Sequence, residues 1–555
     1  MRYLTKSYLE DLTIRLCAVP SVSGNAQEEN RCASLIFDEV SAASEAAGPR
    51  FHAELTDCAH DPLNRKAVLA FLRAPKPTDR TILLTGHFDV VDTQVCGDLA
   101  EAAFDLKTYG EKLGKRALAE DIRKDLESGD WLFGRGSMDM KAGIALFIAA
   151  IREYAADENL GVNLMLLAVP DEEANSAGMR GAVPRFAEFV RDEKLDVIAA
   201  LTGEPCFWTA PSENAPAYRP YYTGTTGKIM PVFLALGSEA HIGCYYEGMS
   251  AALMMAKIID KVEGNPELIA GEGRDVLTPP ACLSMQVRRS VYSVTLPERA
   301  AAYFNVLTIE KTPADVLAWC MEAAKEAADA VTVQLTKSRE AFAAKGGSAP
   351  EVKKVSVYSV FEVREMAARK AGSVEKLCEE EAAFIAAQPN DTDARELSLR
   401  SLEFLVTKAE LSGPCYVVGF VPPYYPARLN TRKNDKEKAL RRVIEETVEE
   451  ASELIGDNAF GLTEVFGGIT DLSFLGFDGS RSDLEALSDN MPAWGAAYWL
   501  PMDELLAMDV PVANMAGAGR DAHKVSERLE CRYSFEVAPK LLASAVKKLS
   551  DPDYR

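Results

Sequence analysis

Three of the five histidines in this chain, His87, His241 and His523, sit in separate segments rich in glycine and carboxylates. The segments are Thr85-Gly-His87-Phe-Asp89, Gly134-Arg-Gly-Ser-Met-Asp139-Met-Lys-Ala-Gly143, Asp171-Glu172-Glu173, Gly203-Glu204-Pro205, Gly237-Ser-Glu-Ala-His241 and Gly519-Arg-Asp-Ala-His523. His87 and Asp89 lie two apart, so in extended chain they point to one side, and the carboxylate can hold the second imidazole nitrogen and fix its tautomer for metal binding. Asp139 lies in a glycine-flanked turn ahead of a helical pattern, where glycines permit close approach and backbone N–H groups favour a carboxylate. Adjacent Glu172 and Glu173 leave a strand on opposite sides, letting one bind metal while the other faces substrate; like charges this close raise a pKa unless cations neutralise them. Glu204 and His523 complete a nitrogen and oxygen donor set that suits zinc or a related divalent ion, and the absence of sulfur donors suits catalysis more than a structural site. Singly, each group has an ordinary reading as a hydrogen-bonded strand-end histidine, a solvated acidic turn, a helix cap or a loop charge. Their joint placement at successive strand ends is what points to a metal centre.

The elements that must position these groups follow from hydrophobic pattern. Thr81–Thr85, Asn163–Val169 and Asp196–Thr202 are short, continuous apolar runs, as expected of strands buried on both faces of an α/β sheet. Each is followed within a few residues by the acids and histidine named above, and ligand sites in such sheets lie at the carboxyl ends of strands. Ile144, Phe147, Ile148 and Ile151 predict a helix over Lys141–Tyr154, and Leu9, Leu12, Leu16 and Cys17 share a helix face ahead of Pro20-Ser-Val-Ser-Gly24. From Lys228 the pattern changes to strand Lys228–Leu236, helix Met249–Val262, strands Leu283–Val294 and Ala302–Ile309, a helix opened by Thr312, Pro313 and Asp315, and strand Val331–Leu335. That order, βαββαβ, is a ferredoxin-like unit. Residues 337–350 read as a linker, after which helices resume; then come strand Cys415–Phe420, a Pro422-Pro-Tyr-Tyr-Pro426 run, helix Asp435–Ile455 and a tight loop, Gly467-Gly-Ile-Thr-Asp471.

Bulk composition narrows the function. With 555 residues, 48% of them apolar, the chain can bury a full core and should divide into at least two domains. A formal charge of −23 without any Lys/Arg-rich stretch argues against nucleic acid and against an anionic membrane as partners. The longest clean apolar run, Ala142–Ile151, is about half of the ~20 residues that a bilayer span requires, and the start MRYLTKSYLEDL lacks a signal-peptide apolar region, so the expected location is the cytoplasm. Eleven cysteines without a C-x-x-C pair argue against a disulfide framework and a cysteine-rich zinc site. Cys206 follows Glu204 by two residues, which leaves a thiol hydrolase as a third reading, without a neighbouring histidine to activate it. Neither G-x-S-x-G nor H-E-x-x-H occurs.

Taken together and in order, these segments resemble the M20 family of di-metal aminoacylases, carboxypeptidases and dipeptidases across nearly the whole chain, and Pro20-Ser-Val-Ser-Gly24 with Glu28 and Glu29 is similar to that family's start. The resemblance implies an α/β fold, with a catalytic domain built on a central mixed sheet flanked by helices (residues 1–220 and 341–555) and an inserted ferredoxin-like lid and dimerisation domain (221–340). It implies two divalent metal ions, zinc or else manganese or cobalt, with His87 and Glu204 on one, Glu173 and His523 on the other, and Asp139 bridging. Asp89 would orient His87 and Glu172 would be the general base. Gly237-Ser-Glu-Ala-His241, followed by Glu247-Gly-Met-Ser-Ala251, is similar to the family's lid motif and implies that His241 contacts the substrate carbonyl oxygen. The long spacer between Asp89 and Asp139, the phrase Ser128-Gly-Asp-Trp-Leu-Phe-Gly-Arg-Gly-Ser-Met-Asp139 and the PPYYP run look like the RocB-like, arginine-utilisation branch. The implied activity is hydrolysis of an amide bond in a small peptide or N-acyl amino acid. Ordinary members hold the substrate carboxylate with a lid arginine, for which Arg288, Arg289 and Arg299 are candidates here. A homodimer through the lid is the family habit. The rival from another class is a catalytically silent member that binds an amino acid or peptide.

Overall fold

The structure, a computed structural model, describes residues 2–207, 218–289, 291–389, 391–456, 460–552 and 554. The chain forms two compact units: Met1–Thr226 with Arg428–Phe477 and Asp503–Arg555, and Gly227–Ala427 with Asp478–Met502.

In the first unit a six-stranded mixed sheet runs in the order Phe51–Asp57, Lys66–Leu72, Asn163–Val169, Arg80–His87, Asp196–Thr202, Val512–Asn514. The first two pairings are antiparallel and the other three parallel. Every residue of Asn163–Val169 is buried, as its uninterrupted apolar run requires of a strand covered on both faces. The helix Ala142–Tyr154, expected from four periodic residues, is buried on all sides from Ala142 to Ile151, so it is a core helix. The helix Lys6–Cys17 buries Leu9, Leu12, Leu16 and Cys17, the face read from their spacing.

The second unit keeps a βαββαβ order with one substitution. Its main strands lie in the order Ala281–Val287, Arg299–Thr308, Pro231–Leu236, Cys415–Phe420, all antiparallel, with the short Gly227–Ile229 also on Arg299–Thr308 and Ser356–Ser359 added in parallel to Cys415–Phe420. The expected final strand Val331–Leu335 is instead part of a 32-residue helix, Pro313–Ala344, which also takes in the first half of the expected linker. A capping box between Thr312 and Asp315 starts this helix, and Ala324, Ala327, Ala328, Val331 and Leu335 are buried at helical spacing. Tertiary burial of that stripe overrides the β-branched preference of Val331-Thr-Val333. Cys415–Phe420 fills the empty place beside Pro231–Leu236, so the helices Val360–Ala371, Val374–Ala386 and Ala394–Lys408 belong here, and residues 341–427 and 478–502 fall in this unit and not in the first. The expected strand Leu283–Val294 ends at Val287, and Ser290 lies outside the described residues. Among the described residues no helix is long and apolar enough to cross a membrane.

Candidate metal centre

The strand Arg80–His87 lies between Asn163–Val169 and Asp196–Thr202, with His87 opposite Val169 and Thr85 opposite Thr202. Parallel pairing puts three carboxyl ends side by side, so His87, the Glu172-Glu173 turn and Glu204 leave the sheet at one rim. Asp139 comes from the turn Ser137–Lys141, which leads into the helix Ala142–Tyr154. Gly143 of that helix packs on Gly203: a Cβ at Gly143 would stand 2.3 Å from the Gly203 carbonyl oxygen, and its absence lets the Asp139 turn approach the Glu204 segment. His523 arrives from the loop joining strands Ala518–Arg520 and Arg528–Glu530.

Two donor trios result. His87 Nε2 stands 3.3 Å from Asp139 Oδ1 and 3.5 Å from Glu204 Oε1. His523 Nε2 stands 3.2 Å from Asp139 Oδ2 and 3.0 Å from Glu173 Oε1. Within each trio the donor atoms lie within 4.8 Å of one another, and Asp139 gives one oxygen to each. Donors arranged tetrahedrally about 2.1 Å from a zinc ion stand about 3.4 Å apart, so both trios have the spacing of a coordination shell. Among the described residues, His87 Nε2 in one trio and Glu173 Oε1 in the other are buried without a partner in hydrogen-bond geometry, an expensive state that a cation in each trio would relieve. The donor set and its geometry therefore fit divalent ions.

Around the trios the supporting contacts are specific. His87 Nδ1 lies 3.0 Å from the Asp89 backbone carbonyl and 3.5 Å from its Oδ1, so the main chain of Asp89 fixes the ring at least as much as its side chain does. The Asp89 carboxylate accepts the backbone N–H groups of Glu172 at 3.0 Å and Glu173 at 3.2 Å and the Ser23 hydroxyl at 2.6 Å. It thereby ties the histidine strand to the acidic turn. The two glutamates diverge: Glu172 Oε2 is 3.9 Å from His87 Nε2, while Glu173 faces His523.

Electrostatics agree with a site built for cations. Burial first, then the neighbouring carboxylates, push Glu172 and Glu204 well above the usual carboxylate range, and Glu173 is raised for the same two reasons. Asp139 and then Glu173, whose carboxylate oxygens face its Nε2, carry His523 up to about 10. His87 is also raised, the desolvation that opposes its charge being outweighed by Asp139 and Asp89. In the protein alone, these acids are neutralised only by protons on themselves and on the two imidazoles. Divalent cations would displace those protons.

Seven of the eight residues singled out from the sequence gather in the first unit: His87, Asp89, Asp139, Glu172, Glu173, Glu204 and His523. His241 belongs to the second unit, where it is exposed and its Nδ1 accepts the Gly243 N–H at 3.1 Å. Two participants went unread. Asp471, which sequence placed only in a tight loop, is buried, and burial raises it to about 7 beside His87, Glu172 and Glu204. Arg135, two residues inside the Gly134 motif, is buried and paired with Glu527, and its NH2 donates to the His523 carbonyl at 3.0 Å. A guanidinium set between two glycines was the only signal for it. Cys206 is fully buried with its thiol pushed up by burial to about 12, which argues against a nucleophilic thiol.

Residues 83–482 match the peptidase family M20/M25/M40. The chain belongs to the M20 family. It is 32% identical to the uncharacterised protein YqjN of Bacillus subtilis over 556 residues, covering 99% of this chain and 97% of YqjN. It is 25% identical to RocB of the same organism over 541 residues, covering 96% of this chain and 93% of RocB. Its fold is similar to that of the aminopeptidase PepT from Bacillus cereus, with a TM-score of 0.52 at 14% identity, covering 99% of this chain and all of that one. As an M20 member the chain is a hydrolase of the metallopeptidase and amidohydrolase type, with a mixed α/β fold and a candidate metal site.

Proposed function

We propose that this chain hydrolyses the amide bond of a small peptide or an N-acyl amino acid, using two divalent ions held by His87, Asp139 and Glu204 on one side and Asp139, Glu173 and His523 on the other. The two donor trios sharing Asp139, with Glu172 beside them, carry this reading. The ions, when bound, supply Lewis acidity toward water and toward an amide carbonyl. Zinc suits the nitrogen and oxygen donors, with manganese or cobalt as the other candidates. Glu172 belongs to neither trio, yet its carboxylate stands at their rim and is raised by burial and by the carboxylates around it, which suits a group that takes a proton from water and passes it to a leaving amine. Asp89 positions His87 and the Glu172 backbone together. His241 is the donor we assign to the substrate carbonyl oxygen: with Nδ1 accepting the Gly243 N–H, the neutral ring carries its proton on Nε2. Of the three candidate arginines, Arg288 is held by Glu396 and Glu403, and Arg289 by Thr295, Leu296 and Glu239. Arg299 makes no ion pair among the described residues, and we assign it to the substrate carboxylate. Similarity to RocB supports a place in arginine or other amino-acid catabolism. Eleven free cysteines support a reducing compartment, the cytoplasm. The second unit serves as lid and dimerisation surface.

Elemental analysis together with an amidase panel of dipeptides and N-acyl amino acids tests the reading. Glu172→Gln should keep both ions and lose turnover by roughly 10²–10⁴-fold, the range for removing a general base. Asp139→Ala should lose metal as well as activity. A Glu172→Gln enzyme with near-normal turnover removes the base assignment, and a wild-type chain without bound metal removes the whole proposal.

A further inference from the structure

The His523 half of the site has weak local support. His523 and Asp521 both take left-handed backbone conformations, φ 66° and 60°, which are unfavourable for residues other than glycine. The His523 side chain is 48% exposed, against 1% for His87. Something outside the loop must hold it.

Arg135 gives part of that support through the His523 carbonyl, and residues 94–133, the long spacer between Asp89 and Asp139, give more. Residues 94–133 fold as three short helical pieces, Gln94–Ala102, Tyr109–Leu113 and Glu120–Ser128, and a strand, Trp131–Phe133, around a small core of their own made of Cys96, Ala103, Tyr109, Leu113 and Phe133. The spacer grips the His523 loop at three places. The Tyr109 hydroxyl donates to the Val525 carbonyl at 2.8 Å. Strand Trp131–Phe133 pairs with Arg528–Glu530, the strand that closes the loop. Arg528, with a side chain 0% exposed, reaches Asp125 at 2.7 Å and Asp121 at 3.3 Å on the spacer while bonding Asp521 and the Ser526 carbonyl within the loop. A fully buried guanidinium whose partners come from both sides locks the two together, because losing either side leaves buried charge uncompensated.

We propose that the 94–133 spacer is a positioning module for one metal half-site: through Tyr109 and Asp125 it holds the loop in which His523 joins Asp139 and Glu173, and it has no comparable hold on His87 or Glu204. The proposal rests on the di-metal reading above. His87 is fixed by the central sheet and Glu204 by the segment packed on Gly143, neither of which the spacer supplies.

Calorimetric titration of zinc into the chelator-stripped full chain tests it. The wild-type chain should take up two equivalents, and His523→Ala should lose one of them. Tyr109→Phe and Asp125→Asn should weaken that same equivalent by roughly 10–100-fold, the usual cost of removing a support behind a ligand, and leave the other within about twofold. Asp125→Asn added to His523→Ala should change nothing further. The proposal is overturned if both equivalents keep wild-type affinity in both variants, or if the two weaken together, which would mark a general folding role. A wild-type chain that binds fewer than two ions overturns the di-metal reading itself, a result read before any variant is made.

Discussion

Glu29, Asp61 and Asp171 surround a single guanidinium, that of Arg65, and all four side chains are buried. One positive charge cannot stabilise three carboxylates in a low dielectric, so one acid gives way. Asp61 takes both Arg65 Nε and NH2 at 2.9 Å and stays below its ordinary range in spite of burial. Glu29, at 3.3 Å, is driven up to about 8, by desolvation first and then by Asp89 and Asp171, against the pull of Arg65. The folded chain therefore binds a proton at Glu29 that the unfolded chain has released, in the window between the ordinary glutamate value of 4.5 and about 8. Stability from this group is complete below that window and is lost as pH rises through it. Glu29→Gln should be more stable than wild type at pH 8, by on the order of 1 kcal/mol or more, with the difference shrinking toward pH 5; thermal unfolding across pH 5–8 with the same difference throughout would remove the assignment. The sequence showed Glu29 only as part of a family-like start, because a buried partner on the strand Lys66–Leu72 side of the sheet leaves no local mark. By contrast the candidate ligands could be singled out: histidine is scarce here, and His87 and His523 each sit close to glycine and acid.

At the scale of elements, legibility followed how local the cause is. Thr312, Pro313 and Asp315 marked a helix start that the structure reproduces, because a capping box is made within four residues. The end of that helix was misplaced by Val331-Thr-Val333, whose strand preference yields to a buried stripe that can be seen only once the sheet is present. Cys415–Phe420 was readable as a strand, but not as the partner of Pro231–Leu236, since pairing across so many residues depends on what else competes for the edge. Close contacts between elements are the other illegible feature, and Gly143 is the instructive case. Its helix and the Glu204 segment touch backbone to backbone, so neither side can yield by rotating a side chain. Gly143→Ala should force the helix from the sheet, separate Asp139 from Glu204 and cost several kcal/mol, the range for overpacking against rigid backbone. The expected result is loss of metal uptake with a lowered melting temperature. A Gly143→Ala chain with wild-type zinc stoichiometry would show that this contact does not set the Asp139–Glu204 spacing.

For the whole molecule, the division into units differs from the sequence reading because a chain that leaves and re-enters a fold gives no compositional signal where it returns. Residues 341–427 share the helix-rich, acidic character of the rest, and only the sheet shows which unit they complete. That sheet ends in the strand Ala281–Val287, which pairs on one side with Arg299–Thr308 and, among the described residues, with nothing on the other. Leu283, at a bulge in the strand, and Met285 and Val287, which alternate beyond it, are 54%, 48% and 44% exposed. An apolar, unpaired edge is a liability for a chain with −23 formal charge unless something covers it, and a second copy meeting edge to edge would pair the backbone groups and bury these three side chains at once. Sedimentation should therefore show a dimer, and Met285→Lys should give a monomer that keeps the secondary structure of the parent and its capacity to bind metal, since the strand is remote in sequence from every proposed metal ligand. A wild-type monomer at micromolar concentration, or a Met285→Lys chain that still sediments as a dimer, would place the subunit contact elsewhere or nowhere, and leave the exposed face of Ala281–Val287 to be covered by a different partner.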